Sequence, residues 1–190
     1  MVMHKVSRNP LPIILIGPMK AGKTTVGRLL AEQLSCPFCS LDIYETRYAR
    51  EIGFKERLAE QIRAEQGIHA WYEYRRKHFD HVVLRFLQDQ RNGVLELGGG
   101  HPILPTPEQQ MRVNRALALY DHVFLLIPDP DLNRSRFICR ERQRPERRNP
   151  DLNELLLSDR RYLELAKHVI YTDRSTPEES CEEILAILGF

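Results

Sequence analysis

The stretch "IILIGPMKAGKTT", Ile13 to Thr25, decides how this chain reads. An apolar, β-rich run ends at Gly17, and after four residues Gly22-Lys23-Thr24 completes the pattern G-x-x-x-x-G-K-[ST]. Small residues let the backbone curl until its N–H groups point at one anion. The helix that follows adds the partial positive charge of its N-terminus. That helix is legible from Val26, Leu29, Leu30 and Leu34, which share one face. Gly17, Lys20, Ala21, Gly22, Lys23, Thr24 and Thr25 are therefore candidate nucleotide contacts. Lys23 is expected to reach the β- and γ-phosphates and Thr24 to ligate Mg²⁺, which makes ATP and Mg²⁺ the expected cofactors. Lys20 either adds charge near the phosphates or points to water.

Composition narrows the class. The chain has 190 residues, 42% hydrophobic and 28% charged, which suits one soluble domain spanning 1–190. A net charge of +2 gives no argument for nucleic acid, and no apolar run is long enough to span a membrane. The opening "MVMHKVSRNPLP" lacks a secretory apolar core, so a cytoplasmic protein is expected. Of the four cysteines, Cys36 and Cys39 have the spacing of a redox pair. Such a pair needs a strand before it and a helix N-terminus at it. Here the order is reversed, which favours two reduced thiols.

Outward from the loop, apolar runs alternate with helical patterns. "FCSL" is a weaker strand candidate, and residues from about Thr46 to Asn92 read as two or three helices. "GVLELGGG" and "HVFLLIP" read as strands, separated by a helix opening at "TPEQ", Thr106 to Gln109. A helix over about Asp131–Arg142 leads into "RERQRPERRNPD", a charged surface segment at 140–151. A further helix, the strand "HVIYT" and a helix capped by "STPEE" complete the chain. Strands separated by helices argue for an α/β fold with a parallel sheet and helices on both faces. Gly98-Gly99-Gly100 follows its strand at the end where open α/β sheets bind ligands. Glu96, inside that strand, either meets Mg²⁺, water or a basic side chain in the site, or pairs structurally with an arginine.

Taken together, these residues resemble shikimate kinases. "GPMKAGKTTVGRLLAEQL" matches the opening of that family, with Lys20 where a glycine is usual. "LELGGG" matches its glycine turn, Arg144-Pro145 its lid, and "TPEE", with Pro177, the loop bordering the adenine. The resemblance implies a nucleoside-monophosphate-kinase-like P-loop fold with a five-stranded parallel sheet. It also implies a lid at 140–151 and phosphate transfer from ATP to a hydroxyl of a small molecule. It assigns catalysis to Lys23, Asp42 and Arg144, and adenine stacking to Arg136 or Arg140. The acceptor falls to Asp42, Gly98, Gly99 and Gly100, with Tyr72 as a further candidate contact.

The acceptor side departs from the family pattern. Its D-x-D motif is Ser40-Leu41-Asp42 here, so the magnesium-side aspartate is Ser40. Its two carboxylate-gripping arginines fall on Tyr72 and Ser158, with Arg75, Arg160 and Arg161 close by. Tyrosine and serine cannot replace an Arg–carboxylate fork, which points away from shikimate as acceptor. His69, Trp71, Tyr72 and Tyr74 either line a site for a polar ring or form the core-facing side of a helix. Three alternatives stand beside a kinase with a changed acceptor: a shikimate kinase with a rearranged clamp, a weakly active ATP-binding regulator, and a nucleoside monophosphate kinase. The expected partner is a small-molecule hydroxyl acceptor, with no nucleic acid or membrane, and a monomeric or dimeric state.

Overall fold

The structure is a computed structural model that describes residues 12–143, 157 and 161–190. Five strands run parallel in the order β2-β3-β1-β4-β5. They are β1 (Ile13–Ile16), β2 (Phe38–Ser40), β3 (Val94–Glu96), β4 (Val123–Ile127) and β5 (His168–Tyr171). The described helices are α1 (Lys23–Gln33), α2 (Leu41–Arg50), α3 (Glu56–Arg76), α4 (Phe79–Asp89), α5 (Pro107–Leu117), α6 (Leu132–Glu141), α7 (Arg161–Leu165) and α8 (Pro177–Leu188).

The period-2 geometry of β1 explains the layering. Ile14 and Ile16 enter one core with Leu41, Tyr48 and Phe86. Ile13 and Leu15 enter a second core with Val26, Leu30, Phe124 and Ile184 on the opposite face. A strand buried on both sides must be apolar throughout, as β1, β3 and β4 nearly are. Caps set the helix starts. Thr106 accepts from the Gln109 N–H at α5, and Thr176 with Glu179 forms a reciprocal capping box at α8. Cys39 lies on β2, Cys36 before it, and burial raises both thiols above their ordinary value. That environment favours inert thiols over a redox pair.

Two expectations need correction. Helical structure resumes at Leu41, directly after β2, rather than near Thr46. Ser40 occupies the cap position in an extended conformation, and Asp42 in the first turn complements the helix dipole. Reading "FCSL" as strand had absorbed that signal. The four aromatic-region residues 69, 71, 72 and 74 also do not converge on one site. Tyr72 is buried against Phe79, Trp71 carries Arg75 on its face at 4.2 Å, and Tyr74 stacks on Phe54. His69 is exposed, shortly after Gly67, where α3 breaks with φ 84°. Core packing therefore holds for Tyr72 and in part for Trp71, while α3 otherwise buries only Ala59.

The order β2-β3-β1 places the C-terminal ends of three strands side by side. In register, Ser40 lies beside Glu96, and Glu96 beside Leu15. The phosphate loop, the glycine turn and Asp42 therefore open onto one edge of the sheet.

Candidate active site

The loop after β1 is shaped by two backbone constraints. Gly17 has φ 138°, and a Cβ there would collide with the Leu126 carbonyl on β4. Lys20 has φ 67°, the left-handed region in which glycine is at ease and a side chain costs roughly 1–2 kcal/mol. The residue that departs from the family pattern thus stands where the backbone asks for glycine, and its side chain is exposed.

Lys23 is buried, and its Nζ donates to the carbonyls of Gly17 (3.0 Å) and Pro18 (2.9 Å). Burial lowers its ammonium from the ordinary value, while the Glu96 and Asp42 carboxylates act against that shift. The two carbonyls are neutral partners that a phosphate oxygen outcompetes. Glu96 faces the cavity. It accepts from the Thr24 hydroxyl at 2.7 Å and pairs with no arginine among the described residues. With its O–H donating to Glu96, the Thr24 oxygen keeps lone pairs for a cation, so Thr24 and the Glu96 carboxylate fit a magnesium position. Ser40, beside Glu96 in the sheet, brings no charge of its own.

These groups face a cavity of about 640 Å³, lined by Lys23, Thr24, Thr25, Asp42, Glu96 and Gly98 among others. Pro177 lines its far end with Thr172 and Ser180. Gly17 and Ala21 lie behind the lining and shape the loop, with Ala21 O accepting from the Thr172 hydroxyl at 2.9 Å. From α6 the cavity is lined by Arg142, not by Arg136 or Arg140. Ser135, Cys139 and Arg142 recur at helical spacing on the inward face, which turns Arg140 to solvent. Arg142 donates to the Thr172 carbonyl (3.0 Å) and to its hydroxyl (3.3 Å). Arg144 and the lid segment from 144 to 151 lie outside the described residues, as do Ser158 and Arg160.

The acceptor side is crowded with charge. Asp42 lies in the first turn of α2, with His101 Nδ1 3.8 Å from its Oδ1. His101 Nε2 lies 3.2 Å from Glu45 Oε2, and Glu45 Oε1 accepts from Arg75 Nε at 2.9 Å. Burial alone would raise the Glu45 carboxyl, but the neighbouring His101 ring and Arg75 guanidinium overcome it and hold the group at about 2. The glycine turn permits this crowding. A Cβ at Gly98 would run into Asp42 and His101, one at Gly99 would lie 2.7 Å from Met19 Cγ, and one at Gly100 would strike the Tyr72 hydroxyl. Tyr72 is thus tucked under Gly100 rather than set in the cavity lining, and burial pushes its phenol up to about 12, so it stays neutral. Arg161 donates to Leu104 O and Gln110 Oε1, both at 2.8 Å.

Glu45, His101, Arg142 and Thr172 escaped the sequence reading. The signal for His101 was present, as a histidine directly after three glycines at the ligand-binding end of a strand. Glu45 was readable only once α2 was known to start at Leu41, which places it one turn after Asp42.

Comparison with known proteins agrees with this geometry. A family model for shikimate kinase matches residues 19–189. A shikimate kinase of Acinetobacter baylyi is 30% identical, with 93% of this chain and 91% of that protein covered. One from Pseudomonas syringae is 32% identical over 93% of this chain and 95% of its own. Among solved structures, an Acinetobacter baumannii shikimate kinase in complex with shikimate superposes with a TM-score of 0.63 at 24% identity, covering 93% and 91% of the two chains. A Sinorhizobium meliloti gluconokinase superposes with 0.58 at 16% identity, covering 96% and 93%, a likeness of fold alone.

Proposed function

Because the chain belongs to the shikimate kinase family and is a phosphotransferase acting on a hydroxyl group, we propose that its acceptor is a small polar metabolite other than shikimate, phosphorylated at the expense of ATP. One observation carries the reading. Beside an intact phosphate cradle, the position of the family's first clamp arginine holds Tyr72, which is buried and neutral. The nearby guanidinium of Arg75 is engaged by Glu45 and stacked on Trp71.

The chain's own groups account for the steps. The backbone N–H groups of the loop at Gly17–Thr25 and Lys23 hold the β- and γ-phosphates in place of the Gly17 and Pro18 carbonyls. Thr24, its hydroxyl donating to Glu96, and the Glu96 carboxylate would hold Mg²⁺, which when bound neutralises charge on the transferring group. Asp42 orients the attacking hydroxyl and takes its proton. The acceptor oxygen bonds to the γ-phosphorus as the bond to the β-phosphate oxygen breaks, and ADP leaves. Gly98 and Gly99 bring backbone within reach of the acceptor. Arg144 supplies the cation that the family resemblance assigns to the lid.

A second reading, a shikimate kinase with a rearranged clamp, is favoured by the names of the relatives at 30–32% identity. Acceptor-dependent ADP release separates the two. Turnover with a neutral polyol, sugar or cyclitol and none with shikimate is expected. Shikimate turnover at ordinary rates selects the second reading.

A further inference from the structure

We propose that Asp42, Glu45 and His101 form a second divalent-cation site, on the acceptor side of the cavity, suited to a transition-metal ion of the Zn²⁺ class. One ligand atom from each residue lies within 4.8 Å of the others. A histidine nitrogen with two carboxylate oxygens is a donor set that zinc accepts, and it differs from the oxygen-only surroundings of Thr24 and Glu96.

His101 provides the independent pointer. Its side chain is only 4% exposed, and neither ring nitrogen makes a hydrogen bond among the described residues. Glu45 Oε2 stands 3.2 Å from Nε2, close but poorly aligned for such a bond. A buried imidazole without hydrogen bonds is costly, and a cation uses a ring lone pair directly. The ring is held against Phe79, with centroids 4.4 Å apart.

The surroundings resemble the outer support of a metal centre. Arg75 occupies Glu45 Oε1 and leaves Oε2 turned toward His101, as a second layer of hydrogen bonds orients a ligating carboxylate. Gly98 lacks the side chain that would keep Asp42 and His101 apart. Three protein ligands leave coordination positions open. Asp42 is the exposed member, with 66% of its side chain accessible, and it lines the cavity, so those positions face the acceptor space. There the ion would chelate two neighbouring hydroxyls of a polyol. This last role rests on the phosphotransferase reading, whereas metal binding does not.

The test uses the full, untagged chain, stripped with a chelator and titrated with Zn²⁺ in the absence of nucleotide, in competition with a fluorescent chelator. One ion per chain is expected, with an X-ray absorption spectrum showing one imidazole, oxygen ligands and no sulfur. Glu45→Gln and His101→Gln should each weaken binding about tenfold or more. Thr24→Ala and the double change Cys36→Ser, Cys39→Ser should leave it unchanged. No bound ion, a sulfur-containing shell, or undiminished affinity in the Glu45 variant would overturn the site. Should His101→Gln fail to fold, the spectrum of the unaltered chain and Glu45→Gln decide the matter. Nucleotide affinity of Lys23→Ala reports separately on the phosphotransferase reading.

Discussion

On the nucleotide side of the cavity, the Lys23 ammonium hydrogen-bonds only to neutral carbonyls, whereas on the acceptor side Asp42, Glu45, His101 and Arg75 face one another. The first arrangement leaves positive charge ready for a polyanion. The second leaves no unengaged cation for a carboxylate among the described residues that line it, and it leaves Asp42 as the exposed member. The difference teaches that a family's phosphate chemistry and its acceptor choice reside in separable parts of one fold. A cradle built from backbone tolerates few changes, and an acceptor pocket built from side chains tolerates many.

The largest effect is expected from Lys23→Ala, which removes the only buried cation of the cradle. ATP affinity measured calorimetrically should fall at least about 100-fold, in the range of losing a close charged contact. Undiminished affinity would break the nucleotide half of the comparison. Asp42→Asn should next reduce acceptor-dependent turnover by roughly 100-fold while ATP affinity stays within about twofold, as loss of a general base does. Turnover that persists would remove Asp42 from the chemistry.

Glu45→Gln tests the acceptor half more gently. It frees Arg75 and should raise affinity for anionic acceptors, shikimate included, by up to about fivefold, the scale of one partly exposed charge pair. Binding titrations with shikimate and a neutral polyol check the sign. The same variant carries a pH signature. The Glu45 carboxyl sits at about 2 in the fold and near its ordinary value when unfolded. Its stabilisation is therefore complete above the unfolded value and is lost as pH falls toward 2. The melting-temperature gap between the unaltered chain and Glu45→Gln should be widest near neutrality and close between about pH 4 and pH 2. The smallest effect belongs to Lys20→Gly. Relief of the left-handed strain should raise stability by roughly 1 kcal/mol in denaturant unfolding, with ATP affinity little changed.

Much of this was readable without coordinates because its causes are local. β1, the phosphate loop and α1 follow from neighbouring residues: a β-rich run, glycines at fixed offsets, and one apolar helix face. The caps at Thr106 and Thr176 span three residues each, and both starts were placed correctly. The beginning of α2 was missed because Ser40 serves at once as the last residue of β2 and the cap of the helix. Local pattern cannot weigh those two roles.

The order of residues by itself determined a parallel α/β fold and the strand, glycine loop and helix that form a phosphate cradle. Only the tertiary structure joined Thr24 to Glu96, turned Arg142 rather than Arg140 inward, buried Tyr72 under Gly100, and set His101 between two carboxylates. Those pairings link residues far apart along the chain. Distances between such residues are fixed by sheet order and close packing of the layers, which no short stretch of sequence encodes.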